Sequence, residues 1–381
     1  MQKFIQAIVN LSYRMFEELI SIKDDLEKNQ AISPIAFTQA LGLLANSIQE
    51  DQRDSIIKKL GFGLGIGNFN ENSMNYLKHL VFKTEDNNII VVKNYLLYRN
   101  NYKIERKFKN FVKKYFDAFI TSYDIKKKKD TIALINDKIA EDTNNSILNA
   151  MDSFSSDTCL LIMNIIYLKQ EWCNEFDYTQ KEKFIALNQK EVLLDMMHQD
   201  KAVEYNCFAD ETLIAIDMPF LSSDLSFIAI MPRKLSDFNK VAKNYCSSKK
   251  LDDLLNSMEP QLVALTFPKF KFEYEIYFNT FAESLKLEED LGHLLINILT
   301  PQPNNYEAIG KQKVIIEVNE LGMEVFVKTE FDIPDGRVEA PGPVLTLKFD
   351  QTFFWVIMKK DKDYGINTPI VMGKFNGLET D

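Results

Sequence analysis

Residues 314–329 read Val-Ile-Ile-Glu-Val-Asn-Glu-Leu-Gly-Met-Glu-Val-Phe-Val-Lys-Thr, and the interpretation of the whole chain depends on them. After Gly322, apolar or β-branched residues alternate with charged ones, and Phe326 is the exception. A period of two predicts a strand with one face toward a core. Between Asp332 and Pro343, three prolines and two glycines exclude a regular ladder. A strand-forming segment therefore leads directly into an exposed loop.

Recognisable motifs stand on both sides of this loop, and they are Glu317-Val318-Asn319-Glu320-Leu321-Gly322 before the loop, Phe349-Asp350-Gln351-Thr352-Phe353-Phe354-Trp355 after it, and Pro369-Ile370-Val371-Met372-Gly373-Lys374 near the end. These motifs resemble those of the serpins. Earlier stretches agree in order, and these are Ile32-Ser33-Pro34, residues 164–172 (Asn-Ile-Ile-Tyr-Leu-Lys-Gln-Glu-Trp), Phe227-Ile228-Ala229-Ile230-Met231-Pro232 and Phe267-Pro268-Lys269-Phe270. The resemblance covers about residues 4 to 378.

The resemblance implies an α+β serpin fold with about nine helices around three β-sheets. It implies a single domain over residues 1–381, with a reactive-centre loop at 323–345. The composition agrees, because 381 residues with 46% hydrophobic side chains can bury a large core and no low-complexity linker divides the chain. Strands are predicted at Ile89 to Tyr98, Cys159 to Leu168 and Leu262 to Phe272.

The function implied by the resemblance is suicide inhibition of a serine protease. The exposed loop is the segment that the protease cleaves, and its cleavage frees the hinge to insert as an added strand in the main sheet. This insertion carries the attached acyl-enzyme away and distorts it. The physical basis is kinetic stability, since a more strand-complete form lies lower behind a barrier. The hinge residues implied are Glu320, Leu321, Gly322, Met323, Glu324, Val325, Phe326 and Val327.

The same resemblance implies residues that control sheet opening. Ser33, Asn164 and Gln312 fall at the shutter, where strands part to admit the loop, and Trp172 falls at the breach, where the loop enters. Lys269 is expected to pair with Glu320 and to hold the hinge shut. Without the resemblance, Asn164 would be interpreted as a buried core amide whose hydrogen bonds are satisfied. Lys269 would be interpreted as a member of an ordinary surface ion pair, which contributes about 0–1 kcal/mol.

The reactive bond is predicted at Arg337–Val338. Arg337 is the one basic residue between Phe331 and Thr346, and a trypsin-like pocket holding an aspartate pairs well with a guanidinium. Counting from Glu320 by the usual family spacing favours Gly336 as the alternative. A trypsin-like serine protease is therefore the predicted partner, and the chain is predicted to be a monomer.

Three departures from the family pattern keep an alternative open. Bulky residues stand in the hinge where small ones are usual, Gln312 replaces a shutter histidine, and Ala36 replaces a shutter serine. The alternative is a non-inhibitory serpin acting as a binding, carrier or chaperone-like protein. An enzyme is not expected, since no Gly-x-Ser-x-Gly motif occurs and the three histidines are about 100 residues apart.

Charge and cysteine usage narrow the partners further. A net charge of −10 argues against nucleic-acid binding. The sequence contains no run of 18 apolar residues, so no membrane span is predicted. Cys159, Cys173, Cys207 and Cys246 lack metal-site spacing, so free thiols are favoured over bridges and no cofactor or metal is predicted.

The basic segment from Lys103 to Lys114 leaves polyanion binding open, although a solvated helix face is preferred. Residues 1 to 22 predict an amphipathic helix, and both a cytosolic protein and a secreted one with its signal removed remain open.

Overall fold

Amphipathic segments of the sequence form the helices in a computed structural model of the chain. The structure describes residues 1–63, 65–80, 89–145, 147–155, 157–199, 201–221, 224–245, 247–292, 296–301, 307–323 and 343–378. The first helix buries Phe4, Ile8, Leu11 and Met15 on one face, at the spacing that an amphipathic helix requires. The predicted helix within residues 1 to 22 is therefore confirmed.

Ten α-helices occur in the described residues, where about nine were expected. They are α1 (Gln2–Leu19), α2 (Pro34–Ala45), α3 (Glu50–Lys59), α4 (Gly65–Leu80), α5 (Arg106–Phe116), α6 (Lys128–Asp142), α7 (Phe238–Asn244), α8 (Ser248–Asn256), α9 (Ala282–Leu285) and α10 (Glu288–Gly292). Short 3-10 helices span Lys23–Asp25, Ile125–Lys127, Leu235–Asp237 and Phe278–Phe281. The count is higher because the last two α-helices are single turns of four and five residues.

The strands make up most of the remaining structure. They are β1 (Gln30–Ile32), β2 (Ile89–Arg99), β3 (Lys103–Ile104), β4 (Ala118–Tyr123), β5 (Thr158–Glu171), β6 (Tyr178–Ile185), β7 (Glu191–His198), β8 (Val203–Ala209), β9 (Leu213–Pro219), β10 (Leu225–Pro232), β11 (Glu259–Pro268), β12 (Phe270–Tyr277), β13 (Leu299–Thr300), β14 (Glu307–Val318), β15 (Gly322–Met323), β16 (Leu345–Lys348), β17 (Phe353–Asp361) and β18 (Ile366–Phe375).

These strands form three sheets. The largest has ten strands in the order β1-β18-β17-β10-β9-β8-β11-β7-β6, with β16 paired to β11. The second has the order β12-β14-β5-β2-β4, with β15 paired to β5. The third is the pair β13-β3. The predicted strands at Ile89 to Tyr98 and Cys159 to Leu168 are confirmed as β2 and β5, two neighbours in the second sheet.

The stretch from Leu262 to Phe272 is not one strand, so this prediction is wrong. It divides into β11 in the ten-stranded sheet and β12 in the six-stranded sheet, with Lys269 between them. Pro268 lacks the N–H that a central strand needs, so the ladder ends there and the chain crosses to the other sheet. This crossing places Lys269 between the two sheets.

Strand β5 has apolar side chains on both faces, as its continuous apolar sequence predicts. Leu160, Ile162 and Ile166 belong to the main core, which also contains α1 and α2. Leu161, Met163, Ile165 and Tyr167 belong to a second core that includes residues of α6. The second sheet is therefore covered on both sides, and its central strand is fixed by packing. Within the described residues, no helix is both long and apolar enough to cross a membrane.

Candidate functional site

The chain reverses direction at residues 319–322, which we call the hinge turn. The Asn319 N–H donates to the Gly322 carbonyl oxygen at 2.8 Å. The Asn319 side-chain oxygen accepts from the N–H groups of Leu321 and Gly322 at 3.0 and 3.1 Å. An asparagine side chain that binds the backbone two residues on is a common way to build a tight turn. The reversal sends β15 back along β5, antiparallel to it.

Residues that follow β5 hold the hinge turn by three of its four carbonyl groups. The Trp172 indole N–H donates to the Asn319 oxygen at 3.0 Å, and the Trp172 backbone N–H donates to the Leu321 oxygen at 2.9 Å. The Phe176 N–H donates to the Glu320 oxygen at 2.9 Å. The Trp172 ring is buried and stacks on Phe220 with centroids 4.8 Å apart. The predicted breach residue thus lies directly against the hinge.

Gly322 is the residue where the hinge comes closest to β5. A Cβ added at Gly322 would stand 2.2 Å from the Gln170 carbonyl oxygen and 2.7 Å from the Glu171 Cα. Both are backbone atoms, which cannot move aside as a flexible side chain could. Glycine is therefore required for the hinge to pair with β5 at this point.

Glu320 projects from the hinge turn and forms an ion pair that we call the latch. Its two carboxylate oxygens lie 2.8 and 3.1 Å from the Lys269 Nζ, and one of them also accepts from the Thr179 hydroxyl. Partial burial would raise the pKa of this carboxyl group, but the hydrogen bonds from Lys269 and Thr179 outweigh it and the net pKa is lowered. The latch joins the hinge to the crossing between the two sheets.

The boundary between β14 and β5, which we call the seam, is paired over only part of its length. The two strands run parallel, and their register begins at Glu307 and Thr158 and ends at Val314 and Ile166. C-terminal to Ile166, β5 pairs instead with the two residues of β15, through Gln170 and Glu171. On its opposite edge β5 pairs with β2 over ten residue pairs, from Lys169 to Leu160. In the described part of the chain, β5 thus pairs continuously with β2 over ten of its 14 residues, whereas on its other edge the pairing is interrupted between Ile166 and Gln170.

A buried glutamine joins the seam to helix α2. The N–H of Ser33 donates to the Gln312 Oε1 at 2.7 Å, and the Gln312 Nε2 donates to the Ser33 carbonyl oxygen at 2.9 Å. The Ser33 hydroxyl donates to the Ile370 oxygen at 2.8 Å and accepts from the Ala36 N–H, which caps α2. Both side chains are fully buried. Gln312 therefore supplies both a donor and an acceptor to one backbone position at the start of α2.

Two asparagines extend this polar line across the sheet. Gln312, Asn164 and Asn94 lie in register on β14, β5 and β2, and we call them the amide row. The Asn164 Nδ2 donates to the Asn94 Oδ1 at 2.9 Å, and the Asn94 Nδ2 donates to the Phe116 oxygen at 2.8 Å. The Asn164 Oδ1 is buried and has no hydrogen-bond partner in the described part of the chain. An unpaired buried acceptor costs about 1–3 kcal/mol.

The structure places six of the sequence-predicted residues in two groups: Trp172, Lys269 and Glu320 at the hinge turn, and Ser33, Asn164 and Gln312 at the seam. Met323 is buried at the end of β15. The hinge residues 324–327 and the reactive-bond candidates Gly336, Arg337 and Val338 lie outside the described residues. Sequence reasoning missed Thr179 and Asn94. Asn94 interrupts an apolar strand just as Asn164 does, so the same signal could have found it, whereas nothing in the sequence links Thr179 to a residue 141 positions away.

The basic segment forms β3 and helix α5. The side chains of Lys103, Arg106, Lys107, Lys113 and Lys114 are exposed. Phe116 is buried, and Phe108, Phe111 and Tyr115 are half-buried against the main core. An exposed cationic side over an inward aromatic side is the pattern of a solvated helix face, and polyanion binding stays a prediction. No disulfide joins Cys159, Cys173 or Cys207 within the described residues, and Cys246 lies outside them.

Comparison with known proteins gives one family for this chain. The family model described as serpin (serine protease inhibitor) matches residues 6–377. Neuroserpin of Gallus gallus is 25% identical over 337 residues, which cover 84% of this chain and 80% of that protein. Neuroserpin of Homo sapiens is 23% identical over 390 residues, covering 98% and 92%.

Solved structures agree with this family. The thermophilic serpin tengpin in its native state superposes with a TM-score of 0.82 at 22% identity, covering 99% of this chain and 94% of that one. Thyroxine-binding globulin in complex with thyroxine gives a TM-score of 0.83 at 18% identity, covering 99% and 100%. The chain belongs to the serpin family, and its fold is the mixed α+β serpin fold. Serpins in general are protease inhibitors rather than catalysts.

Proposed function

We propose that this serpin is a suicide inhibitor of a trypsin-like serine protease. Cleavage at Arg337–Val338 releases the hinge, which inserts between β14 and β5 as a new strand and carries the covalently attached protease with it. The observation that supports the proposal is the pairing of Gly322 with Glu171 and of Met323 with Gln170. The inserting strand thus has its first two residues in place.

The register of β15 supports the proposal because it predicts how far insertion can run. In an antiparallel pair, each step forward along the hinge faces one step back along β5. Continuing from the Gly322–Glu171 pair, Asp335 would face Thr158, the first residue of β5. Residues 322–335 are thus as long as β5, which has 14 residues. Gly336 and Arg337 would stand just beyond the strand, about 45 Å from the hinge turn at about 3.4 Å per residue.

The alternation of the hinge sequence fits the two faces that this register would give it. Val327 would face Ile166, which lies in the main core with α2, and Val325 would lie on the same face. Thr329 would face Asn164, and its hydroxyl could donate to the Asn164 oxygen that lacks a partner in the described residues. Residues directly opposite in a sheet share a face, so the uncharged set predicted from the sequence would enter the core.

The specificity part of the proposal rests on Arg337. A guanidinium forms two parallel hydrogen bonds with the carboxylate at the base of a trypsin-like pocket, whereas a glycine offers such a pocket nothing to bind. The insertion length accommodates cleavage after either Gly336 or Arg337, because both would lie past the end of β5. The side-chain chemistry therefore favours Arg337 over Gly336.

Incubation with trypsin, followed by denaturing electrophoresis and mass spectrometry, tests this function. The parent should give a complex that survives SDS and a cut after Arg337. Arg337→Ala should lose the complex at least tenfold while keeping the parent melting temperature. The matched control is Arg106→Ala, an exposed arginine on α5, which should trap as the parent does. A complex that persists in Arg337→Ala, with a cut elsewhere, would show that the bond is assigned wrongly.

A second candidate is a non-inhibitory serpin that binds or carries another molecule. The bulky Val325, Phe326 and Val327 favour it, because they oppose rapid insertion. In that case trypsin would nick the loop cleanly, no SDS-resistant complex would form, and protease activity would be fully retained. The same gel therefore separates the two candidates.

A further inference from the structure

A histidine and two aspartates that are far apart in sequence meet at one edge of the molecule. His79 lies in the last turn of α4, and Asp361 and Asp363 lie where β17 turns into β18. The His79 Nε2 lies 3.0 Å from the Asp361 Oδ2 and 4.0 Å from the Asp363 Oδ2. One ligand atom from each of the three residues falls within 4.8 Å of the others. The hinge proposal uses none of these residues.

The carboxylate of Asp361 is fixed in the orientation that a ligand needs. Its side chain is 1% exposed. Its Oδ1 accepts from the N–H groups of Asp363 and Tyr364 at 3.0 and 3.2 Å, so Oδ2 faces His79. Hydrogen bonds that orient a ligating carboxylate are typical of metal sites. The His79 ring is held by an edge contact with Tyr364, at a centroid distance of 5.5 Å.

The His79 side chain is also packed against a second ring. Tyr76 is fully buried one turn before His79 on α4, and the two ring centroids lie 6.3 Å apart. Together with the Tyr364 contact, this packing holds the imidazole beside Asp361.

We propose that His79, Asp361 and Asp363 form a binding site for a first-row divalent cation of the zinc type. Imidazole selects zinc, copper, nickel or iron over calcium and magnesium, which prefer oxygen ligands alone. Metal–ligand bonds of about 2.0–2.2 Å bring ligand atoms to roughly 3.0–3.5 Å from one another. The His79–Asp361 distance already meets this, and Asp363, which is 76% exposed, is free to rotate inward. Three protein ligands leave further positions for water.

The alternative is that His79 and Asp361 form only an ion pair that joins α4 to the hairpin. That alternative has no role for Asp363, whose carboxylate is solvated. Asp363→Asn is therefore the decisive variant, because it removes a metal ligand and leaves the His79–Asp361 contact intact. His79→Ala removes both, so it cannot separate the two explanations by itself.

Calorimetric titration of chelator-treated protein with Zn²⁺ tests the site. The full chain carries Cys173→Ser in every sample, because Cys173 is an exposed thiol that could bind zinc elsewhere. The parent should bind one Zn²⁺ and melt at a higher temperature with it. Asp363→Asn should bind at least tenfold more weakly while melting as the parent does without metal, and His79→Ala should not bind there. Asp152→Asn, an exposed aspartate away from the site, should match the parent.

Two results would overturn the proposal. One is a parent that binds no Zn²⁺ at one-to-one stoichiometry. The other is an Asp363→Asn variant that binds as tightly as the parent, which would leave the ion pair as the whole explanation. Neither result bears on protease trapping, since the site shares no residue with the hinge, the latch or the amide row.

Discussion

Strands β17 and β5 are both central and almost wholly buried, yet their edges differ. β17 pairs with β18 over its full length from Phe353 to Asp361, and with β10 on its other edge from Leu225 to Ile230. β5 pairs with β2 from Leu160 to Lys169, but on its other edge the described pairing stops at Ile166 and resumes only at Gln170, with β15. The pairing of β17 is thus continuous on both edges, whereas that of β5 is interrupted on the edge that faces β14.

The side chains at the centres of the two regions also differ, because those at β17 are apolar and those at the seam are polar. Trp355 of β17 stacks on Phe227 with centroids 5.5 Å apart, inside the main hydrophobic core. The corresponding centre of the seam is the amide row, in which Asn164 is hydrogen-bonded to Asn94 and Gln312 is hydrogen-bonded to Ser33. Apolar contacts are lost outright when strands separate, whereas an amide can exchange one hydrogen-bond partner for another. We therefore expect the seam, rather than the ten-stranded sheet, to separate if the hinge inserts as proposed.

The largest expected effect is a rise in thermal stability after cleavage of the loop. Insertion would add a strand of about 14 residues to β5, equal in length to that strand. Nicking by trypsin should therefore raise the melting temperature by more than about 10 °C, because each 1 kcal/mol gained raises it by roughly 2–4 °C in large domains. Differential scanning calorimetry before and after nicking measures the rise.

The control for this prediction is a hinge that cannot pair. In Val327→Pro, the residue that would face Ile166 loses its N–H and cannot complete the ladder. This variant should be nicked at the same bond without the rise in melting temperature. An equal rise in both proteins would mean that the gain comes from somewhere other than the seam.

A smaller but still large effect is expected from Gln312→Leu. This change leaves the buried N–H of Ser33 without its partner, whereas the Ser33 carbonyl keeps the hydrogen bond from the Phe37 N–H, so the expected cost is about 1–3 kcal/mol in the free energy of unfolding. Denaturant unfolding measures the loss, and Gln261→Leu on an exposed part of β11 is the control.

Hydrogen exchange sharpens this prediction into a test of the comparison. If the amide row holds the seam closed, Gln312→Leu should speed exchange in β14 between Glu307 and Val314 more than in β17. Equal acceleration in both strands would show that the two regions open together, and the contrast between them would be withdrawn.

Much of this architecture could be predicted from the sequence, because it depends on local patterns. The apolar runs identify β2 and β5, and the alternation after Gly322 predicts a strand that needs a sheet to pair with. The family resemblance indicated that Lys269 would pair with Glu320, and the two side chains meet at 2.8 Å. These features could be predicted because they depend on neighbouring residues or on recognisable motifs.

The features that could not be predicted depend on long-range geometry. Thr179 reaches Glu320, and the crossing at Pro268 divides one apparent strand between two sheets, because tertiary packing overrides the local pattern. His79, Asp361 and Asp363 show the same limit. Their spacing of 282 residues carries no motif, and only the fold places α4 beside the last hairpin.

The next prediction concerns the rate of insertion rather than stability. Opening the seam must make room for Val325, Phe326 and Val327, and extra methylenes in packed surroundings cost about 1–3 kcal/mol. A barrier raised by about 1.4 kcal/mol slows insertion tenfold and lets deacylation free the protease first. The parent should therefore consume well over one inhibitor per protease trapped.

Replacing all three hinge residues by alanine should lower that consumption toward one. Titration of trypsin activity with increasing inhibitor gives the ratio directly. If the alanine variant traps no better than the parent, hinge bulk does not limit insertion, and Gln312 or Ala36 near the start of α2 becomes the next residue to vary.

The smallest expected effect is at the latch. Lys269 and Glu320 are 42% and 26% exposed, and partly exposed ion pairs contribute about 0–1 kcal/mol. The pKa of Glu320 is lower in the folded protein than in the unfolded chain. Its stabilising contribution is therefore fully present above the unfolded pKa of about 4.3, and is lost as the pH falls through the folded value.

Glu320→Gln should accordingly melt slightly below the parent at pH 7, and the difference should shrink as the pH falls below about 4. If the latch must break before the hinge advances, the variant should also insert up to about fivefold faster, which is the rate equivalent of 1 kcal/mol. Glu191→Gln is the control, since its exposed pair with Lys183 at 2.7 Å lies away from the hinge turn. Faster insertion in Glu320→Gln alone would show that the latch controls the seam. Equal insertion rates in the parent and both variants would mean that the hydrogen bonds from Trp172 and Phe176, rather than the latch, set the rate at which the hinge moves.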